Sequence, residues 1–265
     1  MIRVGICSYR KTGNYLLLKI LIEIINKNSN FNSLSKKKEI WNEKFKNKLL
    51  AYPEELDVDE LVYFEKNKWQ LYKGKERFDL NNDLLLELYE CSNIILTHEP
   101  PSLELLNHPI FSKYTWIYLY RDCKETINSL IYFLTSPVIL EREPKYLIRD
   151  TSELFKDDNY ILKKTSEWID HVNSYQKFKD KFHLFSYDQL TNLSMNLINL
   201  INLFNIQIDK KDISNILENS TFENMKKTAP NHVRKGKKND WLENFNNNQI
   251  KLIDFLLEKK LYKSI

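Results

Sequence analysis

The first 25 residues change character in a way that constrains the fold of the whole chain. A short apolar run, Ile2 to Cys7, is followed by the polar segment Ser8 to Gly13 and then by an apolar stretch of helical length, Tyr15 to Ile25. This order predicts a buried strand, a loop and a helix from the start of the sequence. A strand that leads directly into a helix favours a parallel sheet covered by helices.

Further strand and helix patterns continue this alternation. Strand-like runs occur at Asn93–Thr97, Thr115–Tyr120 and Phe182–Ser186, and helical patterns occur at 83–90, 124–134, 151–178, 189–204, 211–218 and 247–260. We therefore predict a single α/β domain over residues 1–265, in three layers with a central parallel sheet flanked by helices. Residues 28–80 are less regular and rich in aromatic and charged side chains. They are expected to help shape a pocket, or to form a surface helix and hairpin.

Charge and cysteine content narrow the possible partners and compartments. A net charge of +4 is low for a nucleic-acid-binding protein, so no nucleic-acid partner is expected. The three cysteines, Cys7, Cys91 and Cys123, are odd in number and widely spaced, and indicate neither a disulfide framework nor a zinc site. The apolar run Leu16–Ile25 contains charges and is too short to cross a bilayer, and the N-terminus lacks a signal-peptide pattern. These features predict a cytoplasmic protein without a membrane partner.

The loop between the first strand and helix has the composition of an anion site. Lys11 supplies a charge, Thr12 supplies a hydroxyl donor, and Gly13 lets the backbone approach a ligand closely. Backbone N–H groups at a helix start point outward, and the helix dipole favours negative charge there. The loop does not match the NTPase pattern G-x-x-x-x-G-K-[ST], because Arg10 stands where the second Gly is required.

Two more segments of the sequence combine basic residues with features that suit an anion. Arg121 directly follows the predicted strand Thr115–Tyr120, and Ser129 lies two turns into the next predicted helix. Near the C-terminus, Arg234, Lys235 and Gly236 combine two cations with a flexible backbone. An arginine at the carboxyl end of a strand faces the crevice where α/β proteins bind ligands, and a guanidinium suits a phosphate monoester. Taken alone, each segment is equally compatible with a solvated basic surface.

In chain order, these segments resemble motifs of the sulfotransferases that use 3′-phosphoadenosine 5′-phosphosulfate (PAPS) as sulfuryl donor. Residues 8–14 resemble the 5′-phosphosulfate loop (S/T)-Y-P-K-(S/T)-G-(T/N), and 121–129 have the R-x7-S spacing of the 3′-phosphate motif. Residues 234–241 resemble the C-terminal phosphate-binding pattern R-K-G-x-x-G-D-W, with Asn239 in place of the second Gly. Two weaker likenesses, 187–190 to Y-E-D-L and 220–225 to T-S-F-x-x-M, fall between them.

The resemblance runs from residue 8 to residue 241 and implies a P-loop-NTPase-like nucleotide-binding core. It implies that PAPS, and the product 3′,5′-adenosine bisphosphate (PAP), bind at a site drawn from several segments. Aromatic faces in that site suit a purine ring. The implied cofactor-binding residues are Arg10, Lys11, Thr12, Gly13, Asn14, Tyr15, Arg121, Ser129, Tyr187, Ser220, Thr221, Phe222, Met225, Arg234, Lys235 and Gly236.

The catalytic residues implied by the resemblance are His98 and Lys11. Residues 97–100 resemble the family's K-T-H-x-P, whose histidine is the general base, and histidine suits that role because its ordinary pKa lies near neutrality. His98 would take a proton from a hydroxyl or amine of a small-molecule acceptor. Lys11 would stabilise the charge that develops on the departing PAP oxygen. No metal is expected.

The sequence also departs from the family pattern. Arg10 and Cys123 replace prolines, Leu16 replaces a tryptophan that often stacks on adenine, and Leu96 replaces a lysine. The segment from residue 242 lacks the family's dimer motif K-x-x-x-T-V-x-x-x-E, so dimerisation by that route is not predicted. A kinase of a small metabolite and a non-catalytic nucleotide-binding module remain as alternatives, and neither the acceptor nor the oligomeric state is predicted.

Overall fold

A seven-stranded sheet forms the centre of the part of the chain that the structure describes. The computed structural model describes residues 3–27, 59–64, 68–73, 76–79, 94–136, 139, 150–228, 233–236 and 238–262. The strands are β1 Val4–Cys7, β2 Asp59–Phe64, β3 Lys68–Lys73, β4 Glu76–Asp79, β5 Ile94–Thr97, β6 Thr115–Tyr120 and β7 His183–Ser186. Their order in the sheet is β4-β3-β2-β5-β1-β6-β7.

The predicted parallel sheet is confirmed, but it is longer than expected. Strands β2, β5, β1, β6 and β7 pair in parallel, whereas β2–β3 and β3–β4 pair antiparallel. The prediction for residues 28–80 was incomplete, because 59–79 contains three strands of this sheet. Charged residues interrupt the apolar pattern of these segments (DELVYF, KWQLYK and ERFD), so they lack a clear strand signal.

Helices connect and follow the strands. They are α1 Asn14–Asn26, α2 Leu103–Asn107, α3 Cys123–Leu134, α4 Thr151–Lys156, α5 Asp158–Lys177, α6 Tyr187–Thr191, α7 Leu193–Leu203, α8 Lys210–Asn219, α9 Phe222–Thr228 and α10 Asn247–Lys260. Short 3-10 helices occur at Phe111–Lys113, Lys179–Lys181 and Asp240–Glu243. The helix expected at 83–90 lies outside the described residues.

Two predicted helices are each divided in two. The segment expected to form one helix at 151–178 is interrupted at Asp157, which has an extended backbone and accepts a hydrogen bond from the Tyr160 amide at 3.0 Å. The segment 189–204 is likewise divided at Asn192. Asp and Asn side chains can bond to nearby backbone groups, and they therefore favour helix ends over helix interiors.

The strands separate two apolar layers, as the period of two in a strand requires. On one face, Val4, Ile6 and Leu96 pack with helices α1, α7 and α8. On the other face, Ile95 and Trp116 lie in a second cluster, which includes aromatic residues from α5 and the segment before β7. A third cluster joins α3, α4, α5 and α10. This arrangement confirms the predicted three layers.

The topology places the carboxyl ends of four parallel strands side by side along one edge of the sheet. Because β1, β5, β6 and β7 are parallel, the residues that follow them meet there: Ser8, His98, Arg121 and Tyr187. This edge is where α/β sheets bind ligands. Among the described residues, no helix is long and apolar enough to span a membrane.

Candidate active site

Internal hydrogen bonds fix the loop between β1 and α1. The Ser8 hydroxyl donates to Asn14 Oδ1 at 2.8 Å, and the Thr12 hydroxyl donates to the Tyr9 carbonyl at 2.9 Å. The Tyr9 hydroxyl also donates to Glu167 Oε2 on α5, at 3.3 Å. The Thr12 hydroxyl, predicted as a donor to an anion, is therefore engaged within the loop. These contacts constrain the loop although Arg10 replaces the family's proline.

The loop contains two residues with positive φ. Lys11 has φ 66° and Gly13 has φ 111°. A side chain at residue 13 would be both strained and blocked, since a Cβ built on Gly13 would lie 2.6 Å from Tyr187 Cδ2. Lys11 adopts the left-handed conformation without being glycine, which is a strained geometry found preferentially at functional sites.

Lys11 lies in a positively charged environment. Burial, together with the charges of Arg121 and Arg234, lowers the pKa of Lys11 from 10.5 to about 8. Its Nζ lies 4.1 Å from the centre of the Phe133 ring on α3. The sheet edge thus gathers three cations from three distant parts of the sequence. Such repulsion within a folded protein favours the binding of an anion.

Arg121 connects the loop to α3 and to Tyr187. Its Nη1 donates to the Lys11 carbonyl at 3.3 Å, and its Nη2 donates to Glu125 Oε2 at 3.1 Å. The guanidinium carbon lies 4.1 Å from the centre of the Tyr187 ring. The Tyr187 ring, one of the predicted cofactor-binding groups, therefore packs against both Gly13 and Arg121.

The C-terminal basic segment is built around Asp240. This buried carboxylate accepts hydrogen bonds from Arg234 Nη2 at 2.5 Å, Lys235 Nζ at 3.0 Å and Asn128 Nδ2 at 3.1 Å. Burial raises the pKa of Asp240, but the donated hydrogen bonds outweigh that effect and hold it at about 2. Arg234 also stacks on Tyr132, with its guanidinium carbon 4.1 Å from the ring centre. Asp240 therefore fixes both cations beside α3.

The backbone of this segment turns through two left-handed residues. Gly236 has φ 63°, and a Cβ there would lie 2.5 Å from Phe222 Cδ2. Asn239, at the position of the family's second glycine, has φ 60° and precedes the 3-10 helix Asp240–Glu243. Asparagine tolerates this conformation better than most residues, so the replacement keeps the turn.

Three buried polar atoms at the site lack a hydrogen-bond partner within the described part of the chain. They are Arg121 Nε, Arg234 Nη1 and Ser220 Oγ. Buried polar atoms are nearly always satisfied in folded proteins, so unpaired ones indicate room for a further partner, such as an ordered water or a ligand. All three belong to residues predicted to bind PAPS.

The other residues predicted to bind PAPS differ in their burial and in their hydrogen-bond partners. Ser129 is half-buried on α3, and the Tyr15 hydroxyl lies 3.4 Å from Thr228 Oγ1. The Thr221 hydroxyl donates to the Glu218 carbonyl at 2.9 Å, whereas Met225 is buried in the core beneath α1. Arg10 is exposed at the tip of the loop. Ser220 and Phe222 thus have clearer positions for ligand contact than Thr221 and Met225.

His98 is held in one neutral form at the end of β5. Its Nδ1 lies 2.9 Å from the Ser8 carbonyl oxygen, which can only accept, so the proton is on Nδ1 and the lone pair is on Nε2. Burial, with a smaller effect from the charge of Arg10, lowers the pKa of His98 to about 3. The imidazole is therefore neutral at physiological pH, as a proton acceptor must be.

Several residues that shape the site were not predicted. Glu125, Asp240, Tyr132 and Phe133 all contact a predicted cation. Only Glu125 had a local signal, because it lies four residues after Arg121 on a helix. Asp240 lies within the recognised C-terminal pattern, but no role is predicted for it, and its contact with Asn128 joins residues 112 positions apart.

Comparison with known proteins points to one family. The family model for the sulfotransferase domain matches residues 2–264. A curated amine sulfotransferase from the rabbit, Oryctolagus cuniculus, is 22% identical over 178 residues, which cover 63% of this chain and 56% of that protein. The matched part therefore spans little more than half the length of this relative.

Solved structures show the same fold. Mouse sulfotransferase SULT7A1 complexed with PAP superposes with a TM-score of 0.61 at 18% identity, covering 99% of this chain and 84% of that chain. Retinol dehydratase in a complex with retinol and PAP gives a TM-score of 0.59 at 17% identity, covering 100% and 83%. The predicted P-loop-NTPase-like core is thereby confirmed. With its family match spanning almost every residue, the chain belongs to the sulfotransferase domain family.

Proposed function

We propose that this protein transfers a sulfuryl group from PAPS to a hydroxyl or amine of a small molecule and releases PAP. The observation that carries the proposal is the set of buried, unpaired donors on Arg121, Arg234 and Ser220, beside the positively charged Lys11. An anionic nucleotide with phosphates at two positions would satisfy these donors and offset the repulsion among the cations. The PAP complexes of SULT7A1 and retinol dehydratase add support.

The cations divide the donor site into two parts. Arg121, Ser129, Arg234 and Lys235 would hold the 3′-phosphate, away from the reacting atoms, and so position the donor. The 8–14 loop would bind the phosphosulfate end through its backbone N–H groups. Lys11 would lie beside the oxygen that bridges phosphorus and sulfur, and would neutralise the negative charge left on it when its bond to sulfur breaks.

The acceptor proton would go to His98. As the acceptor oxygen or nitrogen forms its bond to sulfur, Nε2 of His98 would take the proton, because Nδ1 already carries one and donates to Ser8. The imidazole is neutral across the physiological pH range, but a pKa of about 3 makes it a weak base, and the negative charge of bound PAPS would raise that pKa. No residue needs to change its oxidation state, and within the described residues no cluster of three metal-ligating side chains occurs.

The cellular setting is part of the proposal. Cys7 and Cys123 are buried free thiols, which supports a cytoplasmic, reducing compartment. The relatives support a small-molecule acceptor, since the retinol dehydratase structures contain retinol or androsterone. We further propose that residues 1–265 form one domain, supported by a single family match over 2–264.

The direct test measures PAP formed from PAPS in the presence of phenols, alcohols and amines, using wild type and His98→Asn. The asparagine amide can still donate to the Ser8 carbonyl but cannot act as a base. We expect wild type to turn over at least one acceptor class and His98→Asn to be slower by roughly 100- to 10,000-fold. PAP affinity should change by less than about threefold, as measured by calorimetry, because His98 does not hold the donor. Equal rates for the two proteins would contradict the role of His98.

A further inference from the structure

Glu125 lies between the two halves of the proposed 3′-phosphate site. Its Oε2 accepts from Arg121 Nη2 at 3.1 Å, and its Oε1 accepts from the Asn239 backbone N–H at 2.5 Å. The side chains of Glu125 and Arg121 are only 12% and 14% exposed. One carboxylate therefore joins the β6–α3 junction to the C-terminal segment, 114 residues away in sequence.

Both partners of Glu125, Arg121 and Asn239, are in turn connected to other cations of the site. Arg121 also donates to the Lys11 carbonyl, so fixing its guanidinium also braces the 8–14 loop. Asn239 has a left-handed backbone and directly precedes Asp240, which holds Arg234 and Lys235. The position of Glu125 thus affects both groups of cations that would contact the 3′-phosphate.

The local sequence would allow Glu125 to complete a capping box at the start of α3, but its side chain does not do so. Asp122 is the N-cap of α3, and its side chain accepts from the Glu125 amide at 3.0 Å. A glutamate three residues after such a cap commonly bonds back to the cap's own N–H in a capping box, as Gln189 and Gln249 do for α6 and α10. The Glu125 carboxylate contacts Arg121 and Asn239 instead.

A negative charge at this place opposes the binding of a phosphate, since like charges repel. We therefore expect that Glu125 favours binding more by ordering the cations than it opposes binding by repelling the phosphate. Without Glu125, the Arg121 guanidinium would be released to other rotamers, and the Asn239 backbone N–H would lose the hydrogen bond that the carboxylate accepts. Preorganised binding groups lose less entropy when the ligand arrives.

We propose that Glu125 is a positioning residue that links Arg121 to the C-terminal segment and so assembles the 3′-phosphate site before the nucleotide binds. It would not touch the nucleotide itself. The proposal deepens the proposed function and rests on it for the identity of the ligand, but the contact between Glu125 and Asn239 can be tested without any ligand.

The test compares wild type, Glu125→Gln and the control Glu258→Gln, an exposed position on α10. Calorimetry measures PAP affinity, and hydrogen–deuterium exchange of the apo proteins measures protection of the peptide containing Asn239. A glutamine can bond to only one of the two partners through its single oxygen. We expect Glu125→Gln to bind PAP about tenfold more weakly and to exchange faster at Asn239, with Glu258→Gln like wild type.

The outcomes separate the two proposals. Unchanged or tighter PAP binding by Glu125→Gln, or unchanged exchange at Asn239, would overturn the role of Glu125, because loss of a repelling charge alone would strengthen binding. Failure of wild type to bind PAP would contradict the proposed function and leave the exchange data to decide on Glu125. If Glu125→Gln does not fold, Glu125→Asp is measured in the same way. Its shorter side chain keeps the charge but cannot span both partners, so wild-type behaviour would overturn the proposal.

Discussion

Lys11 combines a left-handed backbone with repulsion from two neighbouring arginines. Its left-handed backbone and its nearness to Arg121 and Arg234 both cost free energy in the unliganded protein. The resulting pKa of about 8 means that Lys11 is mostly protonated at pH 7 and increasingly neutral above pH 8. A bound phosphate would restore the charge, so nucleotide binding above pH 8 must be coupled to proton uptake.

We therefore predict that PAP affinity falls as the pH rises above about 8, approaching tenfold per pH unit, because each binding event must then protonate Lys11. The phosphates of PAP are already ionised in this range and add no such slope. Calorimetry at pH 7, 8, 9 and 10 measures it. Lys11→Ala should bind more weakly at pH 7, with the slope above pH 8 removed. The same slope in Lys11→Ala would show that another group titrates.

At the level of elements, function depends on the junctions where strands of the parallel sheet give way to loops and helices. The β1–α1 loop, the end of β5 and the β6–α3 junction lie side by side because their strands are neighbours in the sheet. The ring of Tyr187, at the start of α6, closes over Gly13 and Arg121. Close packing between elements is therefore part of the binding site.

Replacing Gly13 by alanine should disrupt this packing. The added methyl group would meet Tyr187 at a backbone φ that L residues rarely adopt. We expect the free energy of unfolding to drop by about 1–3 kcal/mol and PAP affinity to fall at least about tenfold. Urea denaturation and PAP titration measure the two effects, with the exposed helix position Ser194→Ala as control. Wild-type values for Gly13→Ala would mean that the loop is not held against Tyr187.

Sequence patterns predicted the elements that are locally encoded. The buried strands β1, β5 and β6 are continuous apolar runs, and the cations of the site follow strand ends, so both could be recognised. The charged strands β2–β4 and the breaks at Asp157 and Asn192 were missed, because the strands depend on pairing with distant segments and the breaks on side-chain hydrogen bonds. Asp240 and Glu125 also make contacts, with Asn128 and with the Asn239 N–H, that join residues more than 100 positions apart and that no local pattern indicates.

At the scale of the whole fold, His98 and His171 are both held in neutral form by burial, among the residues that the structure describes. Burial lowers the pKa of His98 and of His171 to about 3, against an ordinary value of 6.5. His171 lies on α5, and its Nδ1 is 2.8 Å from the Tyr118 hydroxyl oxygen. A histidine whose folded pKa is depressed binds protons more readily when unfolded, so protonation below pH 6.5 favours unfolding.

We predict that the contribution of these two histidines to the free energy of unfolding is fully present above pH 6.5. It declines as the pH falls from 6.5 towards 3. The slope is at most about 1.4 kcal/mol per pH unit for each histidine. Urea denaturation at pH 7, 6 and 5 measures the effect, and His98→Asn should make the dependence shallower. A free energy of unfolding that does not change between pH 7 and pH 5 would show that neither histidine is kept neutral by burial.

The central claim is that the cations around Lys11 bind a nucleotide with 3′ and 5′ phosphate groups. The most direct measurement is thermal unfolding with PAP or with ATP–Mg²⁺, for wild type and Arg234→Ala. PAP at 100 times its Kd should stabilise wild type by about 2.7 kcal/mol, with a correspondingly higher Tm. ATP–Mg²⁺ should stabilise it less, and Arg234→Ala should lose most of the response to PAP. A larger shift with ATP–Mg²⁺ would contradict the account in favour of a kinase, and no shift with either ligand would contradict nucleotide binding at this site.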